Sequence, residues 1–266
     1  MSKSLIQSQF GKRAEAYATS AVHAKGASLK RLIELTKPEP DWRVLDVATG
    51  AGHTALAFAP HVAAVVASDL TTEMLEVAAR LAKERGFANV TVQEADAEAL
   101  PFADETFDLV TSRIAPHHFP DPGRFVAEAA RVLKPGGLFA LDDNAAPDAH
   151  IFPDFSEADL EAAAKEYNAF EKLRDPSHAR ALTVSEWQQL FSDAALDVLH
   201  WELLAKEMAF ENWVNRFGPN EDVKAELRNR LENASPALLA FLKPEPRDGD
   251  IAFTFTEAIL IGRKST

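Results

Sequence analysis

The chain contains no cysteine, which excludes disulfides, thiolate metal sites and a cysteine nucleophile together. Basic residues are the minority: 28 Lys and Arg against 41 Asp and Glu give a formal charge of −13 over 266 residues, and no basic run offsets it. Such a surface repels polyphosphates and anionic lipid, so neither nucleic acid nor membrane is an expected partner. Long apolar runs are also missing. The most apolar stretch, 55–67, is interrupted by Pro60 and His61 and is too short to span a bilayer. The opening MSKSLIQSQFGKRAEAYATS lacks the apolar segment of a secretory signal, and Glu15 argues against an organellar transit peptide, so a cytoplasmic protein is the expectation. What is present is 47% hydrophobic residues, enough to bury the core of one large domain or of a domain with an insertion. Composition sets no oligomeric state.

Residues 12–35 are rich in Ala, Lys, Leu and Glu and read as helix broken near Gly26 and ended before Pro38. From there the rhythm becomes strand and helix in alternation. Strands are expected at 43–48, 63–69, 90–96, 107–114 and 138–144, helices at 53–59, 71–86 and 122–133, and a turn at Lys134-Pro135-Gly136-Gly137. Alternation of this kind implies crossover connections and a parallel sheet covered on both faces. Beyond Asn144 it breaks: 154–174 and 185–196 read as helical, 197–204 as strand, 207–242 as helical and 251–262 as a long strand. The expected organisation is a single domain. Residues 1–37 form an N-terminal helical segment and 40–145 the alternating core. Residues 146–182 and 207–248 are helical insertions forming a substrate cap, and 183–206 with 249–266 are sheet-edge elements.

Gly50-Ala51-Gly52-His53-Thr54-Ala55 satisfies the loose G-x-G-x-x-G/A pattern of dinucleotide binders. Its neighbour Asp46 decides more. A pyrophosphate site directs backbone amides at negative charge, so a carboxylate before the turn works against that ligand. A cationic ligand has no such conflict, and S-adenosylmethionine carries an ammonium and a sulfonium beside an adenosine. Asp69, after the second strand, is placed like the acid that grips ribose hydroxyls, and Asp96, after the third, can accept from an adenine amino group. The competing reading makes all three aspartates helix caps or turn residues.

DVATGAG, ASDLTTEML, EADAEALPFADETFDLVTSRIAPHHF and RVLKPGGLFALDDN, in that order, resemble the class I S-adenosylmethionine-dependent methyltransferases. More narrowly they are similar to the branch that includes the ubiquinone and menaquinone C-methyltransferases, over about residues 40–145. The resemblance implies an α/β, Rossmann-like fold with a seven-stranded, mostly parallel sheet, the last strand antiparallel. It implies that Asp46, Thr49, Gly50 and Gly52 hold the methionine moiety, that Asp69 takes the ribose, that Leu70 packs on adenine, and that Asp96 with Ala97 reads the adenine edge. Ala48 stands where many members have glycine. Residues 146–250 match no family motif.

Methyl transfer is an in-line displacement in which proximity and orientation carry much of the rate, and a base is needed only where the acceptor must lose a proton. Pro116-His117-His118-Phe119 follows the fourth strand, where relatives keep substrate-facing residues, so His117 and His118 are the candidate catalytic bases. Tyr17 and His23 lie on the N-terminal helical segment 1–37, which the resemblance implies is a lid over the cofactor-binding core 40–145, with Tyr17 against the cofactor. Arg113 is suited to a cofactor carboxylate or equally to a structural ion pair. Trp187, Trp201, Trp213, Phe210 and Phe217 suit either an apolar acceptor site or helix packing. No metal site is expected. The sequence thus points to methyl transfer from S-adenosyl-L-methionine to a small-molecule acceptor. A nicotinamide-dependent oxidoreductase and a cofactor-binding protein without turnover are the alternatives.

Overall fold

The computed structural model describes residues 3–18 and 26–266. Strands β1 (Arg43–Val47), β2 (Ala64–Asp69), β3 (Val90–Glu94), β4 (Phe107–Arg113), β5 (Leu133–Asn144), β6 (Leu196–Ala209) and β8 (Asp250–Lys264) form one sheet in the order β3-β2-β1-β4-β5-β8-β6, and the short β7 (Glu245–Arg247) pairs with β8. β1 through β5 pair with one another in parallel. The architecture is the expected Rossmann-like one, a mostly parallel sheet with antiparallel strands from the C-terminal part. Among the described residues the sheet has eight strands rather than seven. The extra strand comes from the hairpin at Asp248-Gly249, whose φ values of 50° and 81° suit a two-residue primed turn and whose Asp-Gly pair favours one.

The chain divides into two compact units. The first comprises Met1–Asp143, Gln188–Glu202 and Ile259–Thr266. Its central strands read as apolar runs because both faces are covered: Val44, Leu45, Leu109, Val110, Phe139 and Leu141 are fully buried. β3, at the edge, is polar and largely exposed, which discourages further strand pairing. Helices α2 (Ala14–Ala18) and α3 (Ala27–Thr36) lie in the stretch expected as helix broken near Gly26 and ended before Pro38, with α1 (Lys3–Gly11) before them, and α4 (His53–Phe58), α5 (Thr72–Glu84) and α6 (Pro122–Val132) are the crossover helices. The Lys134–Gly137 stretch, expected as a turn, is carried inside β5. The register steps from Phe107↔Leu133 to Leu109↔Leu138, so the extra residues bulge out with Gly136 at φ 78° instead of ending the strand.

The second unit comprises Asn144–Trp187 and Leu203–Ala258. β6 persists to Ala209, past the expected boundary. Helices α9 (Phe210–Asn215), α10 (Glu221–Glu232) and α11 (Pro236–Leu242) follow, and α7 (Glu157–Arg174) and α8 (Val184–Asp193) precede them in the chain. Asn220 and Ser235 cap α10 and α11, accepting from Val223 N–H and Leu238 N–H, and so split the helical run expected over 207–242. The core of this unit is aromatic. Phe170 stacks on Trp213 at 4.9 Å, Phe253 meets the same ring edge-on at 5.2 Å, and the Arg174 guanidinium lies 4.5 Å over it. Trp187 and Phe210 are buried as well, whereas Trp201, on β6, is partly exposed. Among the described residues no helix is long and apolar enough to cross a membrane.

The loop after β3, which carries Asp96 and Ala97, is fastened to α6. Arg131 donates to Glu128 and Asp104 and to the carbonyls of Leu100 and Phe102. Glu128 accepts from Leu100 N–H, and Arg124 donates to Glu98 O. The planar fork of arginine serves these acceptors at fixed angles, which an ammonium cannot do. Arg131→Lys is therefore expected to destabilise the protein by about 1–3 kcal/mol despite keeping the charge. Urea denaturation checks this, and a midpoint equal to that of the wild type would count against the role assigned to the fork.

Candidate functional site

β1 ends in a turn that bends back on itself before α4. Ala48, Gly50 and Gly52 all lie at positive φ, at 53°, 53° and 86°. At Gly52 the left-handed φ coincides with close packing, since a Cβ there would sit 2.9 Å from that of Ala78 on α5. A Cβ at Gly50 would meet nothing within 4 Å, so backbone is presented openly at that point. Asp46 does not sit on the rim with the other acids. It is buried beneath the turn: Oδ2 accepts from Thr49 Oγ1 (2.5 Å) and Ala55 N–H (3.1 Å), and Oδ1 from Thr111 Oγ1 (2.7 Å), its register partner on β4. A short acidic side chain at a strand end finds donors in the turn and first helical residues that would otherwise go unpaired, and these draw it inward. Burial pushes its pKa up to about 6, against the opposing hydrogen bonds of Thr49 and Thr111 and the charge of Arg113.

Two carboxylates remain at the rim. Asp69, ending β2, accepts from Gly50 N–H (2.9 Å) and from Thr71 N–H (2.9 Å), which ties the second strand to the glycine turn. Burial raises its pKa, and these backbone donors oppose the rise. Asp96 accepts from Glu98 N–H (3.0 Å) and from Lys3 Nζ (2.5 Å), and Lys3 also reaches Glu98 at 2.7 Å. Burial pushes the Asp96 carboxyl up, but the ammonium and the N–H outweigh it and leave the group below the ordinary carboxylate range. Helix α1 runs along this rim: Gln7 Nε2 donates to Leu70 O at 2.9 Å. Ala97 is buried beside Asp96. Tyr17 belongs to α2, but its side chain, like the whole of His23, lies outside the described residues.

β4 leaves the sheet through Ile114 at φ 52°, a left-handed conformation that a β-branched residue rarely adopts. The turn Pro116–His118 follows, with both histidines buried and their ring centroids 4.2 Å apart. His117 Nδ1 lies 2.6 Å from Asp143 Oδ1, at the end of the neighbouring strand β5, while Phe10 of α1 meets His118 edge-on at 5.0 Å. Arg113 Nε donates to Thr54 Oγ1 at 3.0 Å, tying β4 to α4. Sequence reasoning singled out neither Thr111, Asp143 nor Lys3. The available signals were hydroxyl residues inside the apolar strand FDLVTSR and paired acids ending LFALDDN.

A Rossmann-like sheet with a glycine turn after its first strand and acids after the next two defines a site for an adenosine-bearing cofactor. Residues 45–141 match the family described as "Methyltransferase domain". The uncharacterized methyltransferase YcgJ of Bacillus subtilis is 40% identical over 232 residues, covering 86% of each chain. A crystal structure from Bacillus halodurans C-125, provisionally assigned as a methyltransferase, superposes with a TM-score of 0.83 at 38% identity, covering 91% of this chain and 100% of that one. The demethylmenaquinone methyltransferase of Thermus thermophilus is 41% identical over 121 residues, covering 44% of this chain and 54% of its own. The chain belongs to the class I S-adenosylmethionine-dependent methyltransferases.

The raised pKa of Asp46 has a definite sign in stability. Because the folded value of about 6 exceeds the ordinary 3.8, the group's contribution is complete below about pH 3.8 and is lost as pH rises through 6. Asp46→Asn removes the titration, so between pH 4.5 and 7.5 the wild type should lose about 2 kcal/mol relative to the variant. Parallel denaturation curves at the two pH values measure this, and a pH-independent difference between the proteins would refute the assignment.

Proposed function

We propose that this chain transfers a methyl group from S-adenosyl-L-methionine to a small organic acceptor whose nucleophilic atom carries a proton, with a histidine of the Pro116–His118 turn as the base. When bound, the cofactor supplies an already activated methyl group on a cationic sulfur. The chain's own residues supply position and charge. The turn Thr49–Gly52 offers open backbone to the methionine end, Asp69 accepts from the ribose hydroxyls, Leu70 packs against the base, and Asp96 with Ala97 faces the adenine edge. Asp46 acts from beneath by holding the shape of the turn, and Arg113 fixes the start of α4 through Thr54.

The observation that carries the reading is the bond from Gly50 N–H to Asp69. A turn that received a pyrophosphate would offer that amide to the ligand. Here a carboxylate already takes it, and a second carboxylate, ionised above about pH 6, lies below. The local field therefore favours a cationic donor over a dinucleotide. The acidic chain and the sequence Ile-Ala-Pro-His-His after β4, in place of the Asn-Pro-Pro-aromatic motif of base amino methylases, support a small acceptor rather than nucleic acid.

Thermal melts with S-adenosylhomocysteine and with NAD test the cofactor assignment, because a ligand that binds only the folded state raises the midpoint by an amount that grows with the logarithm of its affinity. A rise with the first and none with the second is expected, and the reverse pattern would overturn the reading. Asp69→Ala is expected to weaken binding of S-adenosylhomocysteine about 100-fold, on the scale of two hydrogen bonds to a charged group. Calorimetric titration giving unchanged affinity would remove Asp69 from the ribose site.

A further inference from the structure

Asp143 has no part in cofactor binding as laid out above, yet it is a fully buried carboxylate at the end of a central strand. Burying an ionisable group without compensation is expensive, so its partners are informative. Oδ1 lies 2.6 Å from His117 Nδ1, and Oδ2 has no hydrogen-bond partner among the described residues. The histidine is thus the group that compensates the carboxylate. A carboxylate can only accept, so Nδ1 must carry the hydrogen whether the imidazole is neutral or protonated.

From this geometry we infer that Asp143 is a positioning residue that holds His117 in the Nδ1–H tautomer, with the lone pair on Nε2, making His117 the proton acceptor. The inference rests on the histidine-base reading above and deepens it. The acceptor's proton passes to Nε2, and its electron pair is left to form the bond to the methyl carbon while the carbon–sulfur pair stays with sulfur. The imidazolium then faces a carboxylate, which stabilises it, and returns its proton to water. Position supports the same assignment. β4 and β5 are parallel neighbours, with Arg113 opposite Asp142, so the His117 turn and Asp143 leave the sheet from the same end, that of the glycine turn. The strained backbone at Ile114 sits between Arg113 and that turn.

The tautomer is directly measurable, without an acceptor and without turnover. Long-range proton–nitrogen correlation spectra of the full chain, labelled with nitrogen-15 histidine, report which ring nitrogen is protonated. His117→Gln identifies the relevant signals by their disappearance. We expect a neutral His117 to carry its hydrogen on Nδ1. In Asp143→Leu, which removes the carboxylate facing Nδ1, the preference should be lost, with the Nε2–H form becoming visible while S-adenosylhomocysteine still raises the melting temperature. Nε2–H in the wild type would overturn the inference, and so would an unchanged Nδ1–H signal in the variant. The wild-type spectrum decides even if Asp143→Leu does not fold. Failure of S-adenosylhomocysteine to stabilise the wild type would instead strike the cofactor reading and leave the tautomer result standing.

Discussion

The site depends on a negative charge placed where water does not reach. The Asp46 carboxylate gathers a hydroxyl and an amide from the turn and helix that follow β1, and a hydroxyl from the next strand. The turn, the helix that follows it and the neighbouring strand β4, 65 residues on, are thereby held to one pair of oxygens. Hydrogen bonds to an ionised acceptor are stronger than neutral ones, and in a dry interior the reorganisation that would weaken them is small. The cost is visible in the raised pKa: the fold keeps the carboxylate ionised near neutrality only because donors surround it. Each donor matters for the same reason, since loss of one would leave part of a buried charge unpaired.

Around that anchor the backbone is held in conformations it would not choose alone. Ala48 and Ile114, which follow the neighbouring strands β1 and β4, both have left-handed φ without being glycine. Such residues cost of order 1–3 kcal/mol each and persist only where the surroundings over-determine them. The surroundings are at hand. Thr49 N–H donates to Ser68 O, Ser68 Oγ donates to Asp46 O, Ser112 Oγ donates to Val47 O, and Ile114 N–H donates to Asp142 O. Hydroxyl residues inside apolar strands thus act as cross-braces between strand ends, and the rigid sheet transmits its order to the loops that face the ligand.

Much of this was legible because it is local. The acid four residues before Gly50, the glycine pair, and the acids after the second and third strands are encoded by neighbouring residues, and the alternation of apolar strands with amphipathic helices placed them on one sheet. What escaped was set by register. Thr111 meets Asp46 because β1 and β4 pair at that row, and His117 meets Asp143 because β5 lies beside β4. Neither pairing leaves a mark in a single strand's composition. The hairpin at Asp248-Gly249 carried half a signal, an Asp-Gly turn followed by the strand-forming IAFTFT, while Glu-Pro-Arg before it are poor strand formers. The split of the helical run after Ala209 carried weaker ones, caps at Asn220 and Ser235 inside a stretch of good helix formers. The inward turn of Asp46 could not be read from charge alone. An aspartate at that place satisfies either a ligand or its own turn, and only the positions of the donors decide between them.

The remaining rim shows how an acidic protein selects its ligand. Asp96 and Glu98 converge on the ammonium of Lys3, and although burial works against that ammonium, the two carboxylates more than reverse the effect and raise its pKa. The rim therefore draws nitrogen donors toward it, and the chain satisfies it from its own N-terminal helix. Gln7, one turn further along, donates to Leu70 O, and Phe10 after it touches His118. One face of α1 thus spans the distance from Asp96 and Glu98 to the histidine turn. A ligand offering an amino group near Asp96 meets a carboxylate already held by an N–H donor of the protein, so recognition there is exchange of one donor for another. Such exchange depends little on net charge and strongly on where the donor is held, so the geometry of this rim, more than the chain's −13, governs the adenine contact proposed for Asp96.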